Sequence, residues 1–275
     1  MVKLKFTKKL NFYELATFSN SKNLNDSSVL KQALDQEVLI DPKKNFLKDF
    51  IEHFKKIKVI NSQLYQDIFA SFIIDKKFEK TFLEFGATDG IKLSNTYLLE
   101  NSFGWKGALS EPSPQWHKSL KNNRKESIII SECIWSESKK KLDFFMSDFG
   151  ELSTLKNFID NDINSLPDNT NMRKKSGKFI EVETISLNDV IKKFFNGNSP
   201  SYISVDTEGS EYEILKTLNF NLYRPKLFTV EHNFTDNEIK IDDLMKSNNY
   251  LRVFKDLTAF DAWYISEEIQ KEMNI

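Results

Sequence analysis

Three carboxylates stand where strands are predicted to end: Glu111, Asp206 and Glu231. Acids at the carboxyl ends of parallel strands face a crevice, and in open α/β sheets that crevice holds nucleotides. Glu111 follows the turn Gly86-Ala87-Thr88-Asp89-Gly90 by about twenty residues, the interval at which an acid on the second strand can accept both hydroxyls of a ribose. If the strands ending in Asp206 and Glu231 are neighbours, they lie about 4.8 Å apart, and the two carboxylates can share one ligand or metal ion. Any one of these acids is as readily a cap on the helix that follows it. Three together, beside a glycine turn, point to a site.

The turn itself narrows the ligand. It lacks the third glycine of the dinucleotide fingerprint, and no Gly-Lys-Ser/Thr of a P-loop is present. An adenosine-containing ligand without a pyrophosphate fits better, and S-adenosylmethionine is the common one.

The elements that must position these residues are legible as apolar runs. Thr81–Phe85 is a short buried strand running into the glycine turn, and a helix is predicted before it, over residues 62–73, with Ser62 as its cap. Residues 108–111, 127–131, 142–146, 202–206 and 226–231 read as further strands, with helices over 185–195 and 239–247 and a closing pair of strands at 250–254 and 262–266. Strands alternating with helices and then a terminal hairpin imply a mostly parallel sheet with an antiparallel edge. Residues 148–178 form a polar excursion whose Arg173, Lys174, Lys175 and Lys178 read as a solvated basic loop, with the phosphates of a nucleotide-linked sugar as their alternative partner.

Residues 1–60 differ in texture. After a polar break at 20–28, Asp41-Pro42 reads as a helix start, and Phe46, Phe50, Ile51, Phe54 and Ile57 recur at helical spacing. This predicts an N-terminal helical appendage over 1–60, packed on the core or on a second copy in a homodimer, and a main domain over 61–275.

Composition excludes several classes. The 275 residues are 29% charged with a formal net charge of -1, so no global field favours nucleic acid or an anionic membrane. No apolar run approaches a membrane span, and no signal-peptide core follows the basic first ten residues. The only cysteine is Cys133, so no intramolecular disulfide can form and the cytoplasm is the expected compartment.

Five segments taken in order resemble the FkbM family of S-adenosylmethionine-dependent methyltransferases: Ser62-Gln63-Leu64-Tyr65-Gln66-Asp67, Phe85-Gly86-Ala87-Thr88-Asp89-Gly90, Leu93-Ser94-Asn95-Thr96, Gly104-Trp105-Lys106-Gly107 with Glu111-Pro112, and Val205-Asp206-Thr207-Glu208-Gly209-Ser210-Glu211. Glu84 and Thr88 stand where the family pattern usually has Asp and Asn. The resemblance covers residues 62–266 and implies the class I, Rossmann-like methyltransferase sheet of seven strands, the last antiparallel. It implies that Gly86 and Asp89 line the methionine part of the cofactor with Glu84 orienting the turn, that Ser94 and Asn95 donate to its carboxylate, and that Glu111 holds the ribose. It further implies that Glu132 and Cys133 flank the adenine and that Gln63, from the preceding helix, closes over the cofactor, although an inert buried thiol is the simpler reading of Cys133.

The reaction expected is methyl transfer to a sugar hydroxyl, of a nucleotide-activated sugar or a surface polysaccharide. A metal set of Asp206, Glu231 and His232 holding Mg²⁺ or Mn²⁺ would acidify the acceptor; otherwise the general base is Glu208 or Glu211, with Glu208 preferred as nearer Asp206, and His232 is a structural histidine. Consecutive strand residues face opposite sides, so His232 joins Glu231 only if the chain has left the strand. The alternatives are methylation of another small natural product, or a non-catalytic binding protein of the same fold. A nucleic-acid methyltransferase is disfavoured by the Asp-Thr-Glu-Gly exit of the fourth core strand and by the balanced charge.

Overall fold

The computed structural model describes residues 44–54, 56–57, 59–74 and 77–275. The basic first ten residues, the polar break at 20–28 and the Asp41-Pro42 helix start lie outside the described residues. The chain opens with α1 (Lys44–Phe54) and α2 (Gln66–Ile73), then β1 (Thr81–Phe85), α3 (Tyr97–Phe103), β2 (Lys106–Ser110), α4 (Pro114–Asn123) and β3 (Ile128–Ile130). Next come β4 (Cys133–Trp135), β5 (Lys141–Ser147), β6 (Thr154–Leu155), α5 (Pro167–Lys175), β7 (Gly177–Ser186) and α6 (Leu187–Phe194). It closes with β8 (Tyr202–Val205), α7 (Glu211–Leu215), β9 (Leu227–Glu231), α8 (Asn237–Ser247), β10 (Tyr250–Val253), β11 (Asp261–Ser266) and α9 (Glu267–Met273).

Seven strands form one sheet in the order β10-β11-β9-β8-β1-β2-β3. β3, β2, β1, β8 and β9 run parallel, and β11 is antiparallel between β9 and β10. This is the mostly parallel class I methyltransferase arrangement. Alternation along each strand feeds two cores. On one face Phe82, Leu109, Tyr202, Leu227 and Trp263 pack with α1 and α2; on the other Leu83, Phe85, Ile203, Val205 and Phe228 pack with α6, α7 and α8.

The first core draws in α1. Phe50 is 2% exposed, stacks near Phe254 at 5.4 Å and meets Phe69 edge-on at 5.7 Å, while Phe69 stacks on Trp263 at 4.4 Å. A fully buried aromatic contributes roughly 1.5–3 kcal/mol relative to exposure, so this helix shares the sheet's own core.

Local corrections have simple causes. The helix predicted from residue 62 begins at Gln66, because Ser62 Oγ is spent on Asp67 Oδ1 (2.5 Å) and Tyr65 takes a left-handed φ of 71°. Ile185 lies within β7, and the helix starts only after Ser186, whose hydroxyl accepts from the Asp189 amide.

A second, four-stranded sheet, β4-β7-β5-β6, was not anticipated. β7 pairs antiparallel with β5 from Lys141↔Glu183 to Ser147↔Gly177, and Phe144, Leu155, Val182 and Cys133 form its small core. Among the described residues no helix is long and apolar enough to cross a membrane.

Candidate active site

At the carboxyl ends of β1, β2, β8 and β9 lies a cavity of about 630 Å³, within the roughly 300–1,000 Å³ of ordinary ligand pockets. After β1 the backbone bends at Gly86 with φ +68°. A Cβ there would sit 2.2 Å from the Asp206 carbonyl oxygen, so only glycine lets this turn pass the end of β8.

Glu84 fastens the turn from below. Its Oε1 accepts from the Asn95 amide (2.8 Å), and its Oε2 accepts from Ser94 Oγ (3.0 Å) and Thr96 Oγ1. Burial raises the Glu84 pKa, and the fully buried Arg124 guanidinium, 3.8 Å away, opposes the rise. Arg124 also pairs with Glu100 at 2.8 Å. Ser94 and Asn95 line the cavity as expected of cofactor residues, but their donors are committed inward: Asn95 Nδ2 donates to Ser204 Oγ (2.9 Å). The Asn95 Oδ1 is buried without a partner, and it is an acceptor rather than a donor.

Asp89 shapes the loop rather than the cavity. Its Oδ1 accepts from the amides of Ile91 (2.8 Å) and Lys92 (2.9 Å), and it is not among the lining residues. Glu111 does line the cavity, with Oε2 accepting from the Thr88 amide (2.9 Å) and Oε1 from the Ser113 amide (2.8 Å). Burial lifts its pKa to about 7 against those two amides. Each oxygen retains a lone pair for a hydroxyl donor. Cys133 lines the cavity beside Ile134; burial first, then the Glu111 charge, push its thiol up to about 12, where it is inert. Glu132 points elsewhere, its carbonyl accepting from Ser110 Oγ and its carboxylate 3.6 Å from Lys193. Gln63 reaches the cavity from the loop before α2, not from the helix.

At the ends of β8 and β9 Asp206, Glu208 and Glu231 converge, with carboxylate oxygens within 4.8 Å of one another. The β8–β9 pairing, Val205↔Val230, brings the ends of the two strands side by side. Burial, then the Glu211 charge, raises the Asp206 pKa to about 7, while a hydrogen bond from Glu231 holds it down. Glu231 is raised well above the carboxylate range by burial and by Asp206, and its Oε2 has no hydrogen-bond partner. Glu208 is raised by burial and Asp206, opposed by Arg173.

His232 does not join them. The residue after Glu231 faces the other side of the chain, where its Nδ1 accepts from the Phe234 amide (3.1 Å) and its Nε2 lies 3.3 Å from Arg252 Nη2. Burial lowers its pKa to about 4, so the ring is neutral at ordinary pH. The convergent set is therefore Asp206, Glu208 and Glu231 rather than Asp206, Glu231 and His232, for the strand-alternation reason.

Two groups escaped the sequence. The polar excursion forms a wall of the cavity through Phe149, Leu152, Asn169 and Met172. Within it Arg173 is not solvated: it is fully buried, 2.7 Å from both Asp162 and Glu208, and donates to the carbonyls of Leu152 and Ile159. Lys174 stays at the surface with Asp160. Asp261, directly opposite Glu231 across β11 and β9, is a buried carboxylate held by Gln66 Nε2 (3.0 Å) and Trp263 Nε1 (2.9 Å). No periodicity marks either residue, since both are buried by long-range ion pairs or hydrogen bonds rather than by an apolar stripe.

The family described as Methyltransferase FkbM domain matches residues 84–263. No curated protein sequence matches the chain. Solved structures with remote likeness include an O-methyltransferase from Bacillus cereus in complex with SAH, at 12% identity over 92% of this chain and 97% of that one, with a TM-score of 0.39. An SAH-bound methyltransferase from Podospora anserina is 9% identical over 97% and 99%, with a TM-score of 0.42. A precorrin-6y C5,15-methyltransferase from Geobacter metallireducens GS-15 is 10% identical over 76% and 89%, with a TM-score of 0.39. The family match takes in the Gly86 turn, Glu111, the β8 exit and Glu231, and on it the chain belongs to the FkbM family of S-adenosylmethionine-dependent methyltransferases.

Proposed function

We propose that this methyltransferase acts on the hydroxyl of a sugar. The observation that supports this most is the convergence of Asp206, Glu208 and Glu231 in the same cavity that Glu111 lines. Methyl transfer from a sulfonium is an in-line displacement needing an aligned acceptor, a proton sink and exclusion of water. A sugar hydroxyl is a weak acid, so a base must stand close by.

In this reading Glu111 accepts from the ribose hydroxyls, Gly86 admits the methionine moiety close to the backbone, and Cys133 with Ile134 lies against the adenine. Asp206, near neutrality in pKa and hydrogen-bonded to Glu231, takes the acceptor proton. The acceptor oxygen bonds to the methyl carbon as the carbon–sulfur bond breaks, and that bonding pair stays on sulfur in S-adenosylhomocysteine. Glu208, expected as the base, is engaged by Arg173 at 2.7 Å and acts instead by fixing the wall. His232 contributes by position, bracing the Glu231 loop against Arg252. A cytoplasmic setting suits a chain with one buried thiol.

The same oxygens also suit a hard divalent cation. Three carboxylates, with Glu231 Oε2 lacking a donor, are the chemistry of a Mg²⁺ or Mn²⁺ site. Asp206, Glu208 and Glu231 would hold it, and it would supply Lewis acidity to the acceptor hydroxyl.

The test is a methyl-transfer assay by mass spectrometry over neutral sugars, glycosides, oligosaccharides and nucleotide sugars, run with chelator and with Mg²⁺ or Mn²⁺ added back. Asp206→Asn is expected to lower kcat by about 10²-fold or more with S-adenosylhomocysteine affinity nearly unchanged. Cofactor binding without transfer to any acceptor would leave a binding protein; turnover indifferent to chelator would remove the cation.

A further inference from the structure

The lining of the cavity, taken whole, carries a charge pattern that selects among sugars. Six carboxylates line it (Glu84, Glu111, Glu151, Asp206, Glu208 and Glu231), against one lysine, Lys92, among the described residues. Lys92 is exposed, with its Nζ 2.6 Å from Glu151. Arg173 and Arg124, the buried cations nearby, are enclosed by Asp162 and Glu208 and by Glu84 and Glu100, and neither lines the cavity. The basic residues of the excursion offer nothing to a phosphate here: Lys174 is paired outside with Asp160, and Lys175 and Lys178 are exposed and absent from the lining.

The unpaired polar atoms agree. Two fully buried oxygens of lining residues have no partner, Asn95 Oδ1 and Glu231 Oε2, and Asn95 is only 8% exposed. Both are acceptors and require donors such as hydroxyl or ammonium groups; a phosphate oxygen would meet them as one acceptor facing another. Phe234, 51% exposed and also lining the cavity, offers a ring to an apolar sugar face.

We infer that the acceptor is a sugar bearing no phosphate, so that nucleotide-activated sugars are excluded and methylation follows the glycosyl transfer that releases the nucleotide. The want of a free cation to pair with a phosphate, among the described lining residues, supplies the discrimination. This inference rests on the sugar-hydroxyl reading, and its test has two independent arms.

In the first, kcat/KM is compared for matched acceptors: a methyl glycoside, the same sugar as its 1-phosphate, and the same sugar linked to a nucleoside diphosphate, each with and without Mg²⁺. The glycoside is expected to be favoured at least about tenfold, a difference of about 1.4 kcal/mol. Equal or better turnover of either phosphorylated form, with or without Mg²⁺, overturns the inference. In the second, uridine diphosphate and pyrophosphate are titrated calorimetrically into the S-adenosylhomocysteine-bound enzyme, again with and without Mg²⁺. No binding at millimolar ligand is expected; saturable binding that competes with the acceptor site and is altered by Glu231→Gln overturns it. If no sugar is methylated at all, the sugar reading fails, and the second arm still decides whether the cavity rejects phosphate.

Discussion

Arg173 Nη2 lies 2.7 Å from Glu208 Oε2, joining two residues 35 positions apart in a buried ion pair. The contact ties the wall of the cavity contributed by the excursion to the exit turn of β8. That turn is otherwise held by Glu211, whose Oε1 accepts from the amides of Thr207 and Gly209.

Replacing Arg173 with Met strands Asp162 and Glu208 as buried charges. Breaking a buried pair from one side costs about 3–5 kcal/mol. Chemical denaturation of Arg173→Met should show a loss of that order. The double variant Arg173→Met with Glu208→Gln should recover part of it, because the stranded charge at Glu208 is removed as well.

Gly86→Ala should abolish cofactor binding. A Cβ at 2.2 Å from the Asp206 carbonyl oxygen, at φ +68°, cannot be accommodated by rotating a side chain. The backbone must move, at a cost of roughly 1–3 kcal/mol for the strain alone. Calorimetry with S-adenosylhomocysteine checks this; affinity within twofold of the native chain would contradict the close passage of the two turns.

Cofactor affinity should rise with pH around neutrality. Glu111 titrates near 7 because burial disfavours its charge, and the ionised form is the stronger acceptor for ribose hydroxyls. The dissociation constant should therefore fall between pH 6 and 8. Glu111→Gln should weaken binding by about 10- to 100-fold, the worth of a hydrogen bond to a charged group, and flatten the pH dependence.

The ligand-free protein should lose stability as pH rises from about 5 to 7.5. Asp206, Glu111 and Asp261 have folded pKa values near 7, above their unfolded values, so the folded state binds more protons in this interval. Their stabilisation is full below the unfolded pKa and is lost through pH 7. His232, lowered to about 4, acts oppositely between 4 and 6.5, but it is one group against three. Thermal unfolding across this range should show a falling midpoint.

Helix α1 should prove integral to the fold. Phe50→Ala removes a ring packed on Phe69, Phe254 and Trp263, and such truncations cost about 3–5 kcal/mol. A change below about 0.5 kcal/mol in denaturant unfolding would mean that the helix is an appendage in energy as well as in sequence.

Much of this protein is written locally. Thr81–Phe85 shows its strand by an apolar run, the Gly86 turn by its glycines, and the strand-end acids Glu111, Asp206 and Glu231 by their place after such runs; hydrophobic periodicity is a short-range signal, and it reports the elements that bury apolar faces. The antiparallel partner at 262–266 and the helical face of Phe46 and Phe50 are legible for the same reason.

What tertiary structure alone decided is where polar groups end up. Helix α5 has no apolar stripe, and its Arg173 is buried because Asp162 and Glu208 meet it from distant segments. His232 is excluded from the acid cluster by the direction the chain takes after β9, and β7 becomes a strand because β5 is there to pair with it. Pairing of charges and of strand edges depends on partners far away in the chain, so no window of sequence contains it.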